Sequence, residues 1–167
     1  MAKVADSNGI TVAPLRNLPI IKDLAVDMTG FFDKWARAQG RFVPGPGAAT
    51  DFAVVPPDSR ERRAADAAIE CIGCGVCHAA CDVVSWNPDY LGPAALNRAW
   101  TLVNDVRDGA RDGARDERLA AVAGDAGCHA CHTQQNCRAF CPKHLDPTAS
   151  IAGLKRATVL AALKGKI

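Results

Sequence analysis

Four cysteines near the middle of the chain dictate what it must fold around. Cys71, Cys74, Cys77 and Cys81 stand at C-x2-C-x2-C-x3-C. In that spacing three thiolates hold one iron–sulfur cubane and the fourth reaches across to a second cluster. A tight turn over Gly73 and Gly75 aims three thiolates at one face of the cube and brings backbone N–H groups to its sulfides. Cys81, on the outgoing helix, then points the opposite way. A counterpart run is required, and Cys131, Cys137 and Cys141-Pro142 supply it, with Gln134 where a middle cysteine would stand. Exchanging the fourth ligands gives two sites. Cys71, Cys74, Cys77 and Cys141 form a four-thiolate site expected to hold [4Fe-4S]. Cys81, Cys131 and Cys137 form a three-thiolate site, and a cubane corner without a ligand readily loses its iron, so [3Fe-4S] is expected there. Cys128, the eighth cysteine, is either a spare thiol beside the cluster or an extra ligand that would make the second site [4Fe-4S].

Two other chemistries fit parts of the pattern. Cys74-Gly-Val-Cys77-His78 and Cys128-His-Ala-Cys131-His132 both read C-x-x-C-H, the attachment sequence of c-type haem. That reading leaves Cys71, Cys81, Cys137 and Cys141 without a role and requires export, for which the first twenty residues carry no signal zones. Zinc at paired C-x-x-C motifs suits the overlapping spacing poorly. Eight cysteines without a secretory signal belong to a reducing compartment, where metal or redox chemistry outweighs disulfides. Twenty Lys and Arg against 18 Asp and Glu give a net charge of +2, which removes the global electrostatic case for nucleic acid. No apolar run of about 18 residues occurs, so the chain is not expected to cross a membrane by itself.

Hydrophobic residues make up 49% of the 167 and aromatics 5%, which favours close-packed helices. The expected fold is all-α, an alpha-helical ferredoxin domain binding two cubane-type clusters, with an extended N-terminal arm. Residues 1–21 read as that arm, with a short β-like stretch at Ile10–Val12. Residues 22–57 read as a helix and a Pro/Gly-rich linker, and 58–167 as the cluster domain. Apolar spacing through Leu24, Met28, Phe31, Trp35 and Ala38 predicts a helix over Asp23–Gln39. Asp58 and Glu61 resemble a capping pair for a helix running from Arg60 to Glu70. Gly92-Pro93 opens a helix with Leu96, Ala99, Val103 and Val106 as its buried stripe. A charged repeat, Arg107–Arg118, reads as a solvated connection, followed by a short helix over Glu117–Ala123. Asp146 and Pro147 start a last helix ending near Gly165. No convincing strand is expected after residue 15.

Beyond the cysteines, three stretches carry a family resemblance: Ile20–Phe32 (IKDLAVDMTGFF), Asn87–Trp100 (NPDYLGPAALNRAW) and Cys141–Pro147 (CPKHLDP). Together they resemble the iron–sulfur subunit of succinate dehydrogenase and fumarate reductase, from about Thr11 onward. The resemblance covers that subunit's two-cluster part and not its N-terminal [2Fe-2S] ferredoxin domain, and the expectation is a split subunit whose [2Fe-2S] centre sits on a separate chain, with the arm docked on it. It further implies a flavoprotein partner with FAD, transmembrane anchor subunits that carry haem b in some members, and electron flow to quinone. No dicarboxylate catalytic site is implied on this chain. By that resemblance Trp86 matches the tryptophan that donates to a quinone carbonyl, and His132 the histidine beside the [3Fe-4S] cluster that touches the quinone site and a haem propionate where haem is present. The implied location is peripheral, on the cytoplasmic face of a bacterial inner membrane or the matrix face of the mitochondrial one. Asp82, Ser85 and Gln134 depart from the family pattern, all near the quinone region. Subunits of glycolate oxidase, glycerol-3-phosphate dehydrogenase or heterodisulfide reductase type would carry two full runs and CCG motifs, which are missing here. A free ferredoxin-like carrier would not need the helical arm.

Overall fold

A computed structural model describes residues 11–45, 52, 54–109 and 113–167. The β-like Ile10, residues 46–51 and 53 of the Pro/Gly-rich linker and the centre of the charged repeat lie outside the described residues. Eight α-helices and two short strands follow one another along the described chain. The strands, β1 (Ile20–Lys22) and β2 (Ala25–Val26), pair antiparallel with Ile20 opposite Val26. This hairpin corrects two expectations, that strands end by residue 15 and that a helix starts at Asp23. Asp23 instead takes a left-handed conformation (φ 51°) and turns the chain, and Leu24 is exposed on the turn. Helix α1 begins only at Thr29, whose N–H is capped by the Asp27 carboxylate at 2.8 Å, and runs to Arg37.

Helix α2 (Arg60–Ala65) is capped by Ser59, whose hydroxyl accepts from Arg62 N at 3.1 Å, rather than by Asp58. It tightens into a 3-10 turn over Asp66–Ala68 before Cys71 instead of continuing to Glu70. Two short helices, α3 (Val76–Ala79) and α4 (Asp82–Trp86), lead to α5 (Gly92–Asn104). Proline near its start suits α5, because the first helical N–H groups have no intrahelical partner. Helix α5 is the axis of the domain: Leu96, Ala99, Leu102 and Val103 are buried, and the helix packs on α1, α2, α6 and α8. Val106 lies beyond its end and is only half-buried.

Helices α6 (Ala114–Val122), α7 (Asn136–Ala139) and α8 (Pro147–Leu163) complete the domain. Asp146 caps α8 as expected, accepting from Ala149 N at 3.0 Å. Close approach of α5 and α8 depends on Gly153, since a β-carbon there would come within 2.5 Å of the Trp100 ring. The core joins Leu96, Ala99, Leu119, Val122, Cys128, Ile151 and Leu154.

The charged repeat is not simply a solvated connector. Arg118 and Asp108, near its two ends, are both buried and pair at 2.9 Å. The Arg118 guanidinium also donates to the carbonyls of Gln39 (2.9 Å) and Arg41 (3.1 Å), and Gly109 N donates to Val43 O at 2.7 Å. These contacts bind the segment after α1 to the domain. A buried charge is stable only when paired and hydrogen-bonded, and Arg118 has both.

Candidate iron–sulfur sites

Cys131, Cys137 and Cys141 each follow Cys71, Cys77 and Cys81 by 60 residues, and the backbone repeats with the same offset. In the first loop Gly73 and Gly75 have φ of 65° and 74°; in the second, Thr133 and Gln135 have 61° and 64°. Each loop enters a helix of four residues, α3 or α7. The closing bonds match, Ala79 N to Gly75 O at 2.9 Å and Ala139 N to Gln135 O at 3.0 Å. Cys71 N bonds Ala68 O, and Cys131 N bonds Cys128 O. Cys128 is thus the repeat partner of buried Ala68. Its sulfur is fully enclosed, 3.8 Å from the Thr158 hydroxyl.

All eight cysteines are free thiols. Among the described residues, no three His, Cys, Asp or Glu side chains close on a point that could hold a single metal ion. The fields of the thiols couple the two cysteine runs to each other. Burial pushes the Cys77 thiol up to about 12, helped by the fields of Cys71, Cys137, Cys74 and Cys141. Cys81 is raised by burial and, among the thiols, by Cys131; Cys137 is raised by burial, then by Cys131 and Cys81. Thiols whose ionisation is suppressed by burial and by one another become good ligands when positive iron replaces the protons. Cys81, Cys131 and Cys137 line one cavity, and Cys71, Cys74 and Cys141 all act on the field at Cys77, a donor set whose soft thiolates suit iron–sulfur clusters. Bound there, the clusters would supply one-electron transfer; the chain supplies ligands, donors and burial.

The surroundings of the two loops differ. Over the first, a β-carbon on Gly75 would meet Met28 at 3.2 Å and Leu15 at 3.5 Å, and the Phe32 ring lies against Gly73. The arm is pinned there by Asn17, whose amide donates to the carbonyls of His78 (3.2 Å), Ala79 (3.3 Å) and Cys81 (3.3 Å). His78 is buried against the edge of Phe31, and burial, then the Lys34 charge, lower its pKa to about 4. The second loop is held from below: Lys155 on α8 donates to Cys131 O at 2.7 Å, and Thr133 N lies 3.4 Å from the Cys131 sulfur. Its outer side, from His132 to Gln135, is exposed.

Trp86 and His132 are brought together on that exposed side. Their rings lie 5.5 Å apart and 32° from parallel, and Trp86 is 63% exposed. Asn87 secures the connection, donating to Asp125 O at 3.3 Å, and Leu91 N bonds Ala126 O at 2.8 Å. Asp82 opens α4 at a position where proline would also fit and where an acid complements the helix dipole.

Two contributors carried no signal in the cysteine spacing. Tyr90, 1% exposed, lines the cavity of the second site together with Cys131. Burial, then Cys131, Cys81 and Cys137, raise its pKa, so the phenol keeps its proton. Thr148, on the first turn of α8, places its hydroxyl 3.3 Å from the Cys137 sulfur. Tyr90 is the one tyrosine in the sequence, and only its place inside NPDYLGP could have drawn attention to it.

Paired cysteine loops of this kind define a class: residues 67–145 match the 4Fe-4S dicluster domain family. The chain is also 34% identical over 151 residues to the mitochondrial succinate dehydrogenase [ubiquinone] iron-sulfur subunit 1 of Oryza sativa subsp. japonica, covering 90% of this chain and 52% of that protein. It is 34% identical to the succinate dehydrogenase iron-sulfur subunit of Paracoccus denitrificans, over 90% of this chain and 56% of that one. The fumarate reductase iron-sulfur subunit of Escherichia coli O157:H7 is 33% identical, over 87% and 57% respectively. The chain spans about half the length of these curated relatives, and the matched stretch takes in both cysteine runs.

Proposed function

We propose that this chain is the two-cluster electron relay of a succinate:quinone oxidoreductase. Electrons enter from a flavoprotein carrying FAD by way of a [2Fe-2S] centre. They cross a [4Fe-4S] cluster on Cys71, Cys74, Cys77 and Cys141, then a [3Fe-4S] cluster on Cys81, Cys131 and Cys137, and reach quinone beside Trp86 and His132. The observation that carries this reading is the exposed Trp86–His132 pair next to the three-thiolate cavity. An indole N–H and an imidazole suit a quinone carbonyl, which accepts hydrogen bonds. Cys128, enclosed beside Thr158 and equivalent to Ala68, stays a spare thiol. Exposed Ile20, Ile21 and Leu24 on the hairpin support docking of the arm region against the [2Fe-2S] domain.

No helix among the described residues is long and apolar enough to cross a membrane. In this reading the chain lies on the cytoplasmic or matrix face of the membrane, held there by transmembrane anchor subunits, with or without haem b. The similarity to fumarate reductase subunits supports a second direction, quinol oxidation coupled to fumarate reduction, through the same relay.

The test is electron paramagnetic resonance on the purified native complex. An oxidised [3Fe-4S] centre is paramagnetic, whereas an oxidised low-potential [4Fe-4S] centre is silent. A signal in the oxidised complex is expected and should survive Cys128→Ser; its absence would overturn the three-thiolate assignment. Trp86→Phe should depress quinone reduction while sparing reduction of an artificial dye, and equal loss of both would leave Trp86 a packing role only.

A further inference from the structure

We propose that Tyr90 and Thr148 are positioning residues for the second cluster, their hydroxyls donating to its cysteine sulfurs and holding it at a higher reduction potential than the first. This rests on the ligand assignment proposed above. The two side chains come from different elements, Tyr90 from the turn before α5 and Thr148 from the first turn of α8, and they line the cavity of Cys81, Cys131 and Cys137 together. Thr148 Oγ1 stands 3.3 Å from Cys137 Sγ, and Tyr90 is all but inaccessible to water. A ligated cysteine sulfur has no proton to give, so each hydroxyl in reach of it acts as the donor.

Reduction adds an electron to the cluster, and part of that charge falls on the ligand sulfurs. A donor to sulfur stabilises the reduced form more than the oxidised one and raises the potential, whereas burial alone opposes added charge. The first loop is built differently. Leu15, Met28 and Phe32 cover it, and among the described residues no side-chain hydroxyl bonds to Cys71, Cys74, Cys77 or Cys141. One hydroxyl bonded to a ligand sulfur and a second lining the same cavity, against none bonded at the first loop, set a downhill step toward the exposed Trp86–His132 pair.

Redox titration of the native membrane complex, followed by paramagnetic resonance at both clusters, tests this with Tyr90→Phe, Thr148→Val and the double variant. Each substitution keeps the side chain's approximate volume and removes the hydroxyl. At a fixed ambient potential the reduced-to-oxidised ratio of the second cluster should fall about tenfold per hydroxyl, equivalent to about 59 mV for a one-electron couple. The first cluster's midpoint and the iron content should stay unchanged. A second-cluster ratio within twofold of native in both single variants, with its signal intact, overturns the proposal. If Tyr90→Phe fails to assemble, Thr148→Val decides on the same criterion. The unmodified complex reports the ligand assignment separately: if its second cluster proves to have four irons, its reduced-state signal is titrated instead and the same fall is expected.

Discussion

Two loops in this molecule trace the same backbone path with different residues and serve different surroundings. From Cys71 to Cys77 the left-handed positions are glycines; from Cys131 to Cys137 they are Thr133 and Gln135, at nearly the same φ. For a β-branched residue that conformation costs about 1–2 kcal/mol. The second loop therefore holds a strained path that its own sequence does not favour, stabilised by Lys155 from α8 and by its contacts with sulfur. The first follows the path freely and is closed over by Leu15, Met28 and Phe32. The difference teaches that one backbone path can be reached by two unlike sequences. Glycine is one way to reach it, and external support is another. Where the arm needs to pack directly on the loop, as at Gly75, glycine is the residue that leaves room.

The comparison can be broken most completely at its ligands. Gln134→Cys should restore a fourth thiolate to the second loop, abolishing the oxidised three-iron signal and raising iron content to two four-iron clusters. Cys137→Ser should remove the second cluster and leave the first, read by iron and sulfide analysis of the purified complex. Smaller effects come from the backbone. Gly75→Ala should lower stability by about 2 kcal/mol, because the added carbon meets Met28 in a conformation already unfavourable to L residues. Thr133→Gly should raise it by up to about 1 kcal/mol, less than the full strain because glycine also frees the unfolded chain. Thermal midpoints of the loaded complex would show the opposite signs, and a shared sign would break the comparison.

The smallest contrast is in proton linkage, at the equivalent positions His78 and Arg138. His78 titrates near 4 in the folded chain against an ordinary 6.5, so above 6.5 it costs the fold nothing. As pH falls from 6.5 toward 4 the unfolded chain binds the proton and the folded one does not, and stability is lost. Between pH 7 and 5.5 the loss should be about 1 kcal/mol, measured by denaturant unfolding of the complex at the two pH values. His78→Gln should remove that slope. Arg138 is exposed and pairs loosely with Asp146 at 3.5 Å, and Arg138→Gln should leave the slope in place.

Much of this was written in the cysteine spacing, because thiolates around a cluster must meet tight distance demands and the chain has few ways to satisfy them. Helices α5 and α8 were likewise readable from their prolines, the Asp146 cap and their apolar positions. The hairpin was not: Leu24 falls on the α1 apolar stripe by spacing alone, and only the left-handed turn at Asp23 removes it from the helix. The Arg118–Asp108 pair was hidden for a related reason. Charge repeats usually face water, and nothing local announces that two members are folded under to grip the carbonyls of Gln39 and Arg41. Tyr90 and Thr148 meet the ligand sulfurs through tertiary packing, which spacing along the chain does not encode. The left-handed Thr133 and Gln135 defeat propensity in the same way.

Trp86 and His132 belong to opposite halves of the repeated unit, one following the first cysteine run and the other inside the second. Neither half alone can display the paired rings. The patch is in effect a seal, legible only when both loops have closed and the turn at Asn87 has met the segment at Asp125. A binding partner that requires both rings would pass over chains folded around a single loop, and so inspect the finished domain without contacting its interior.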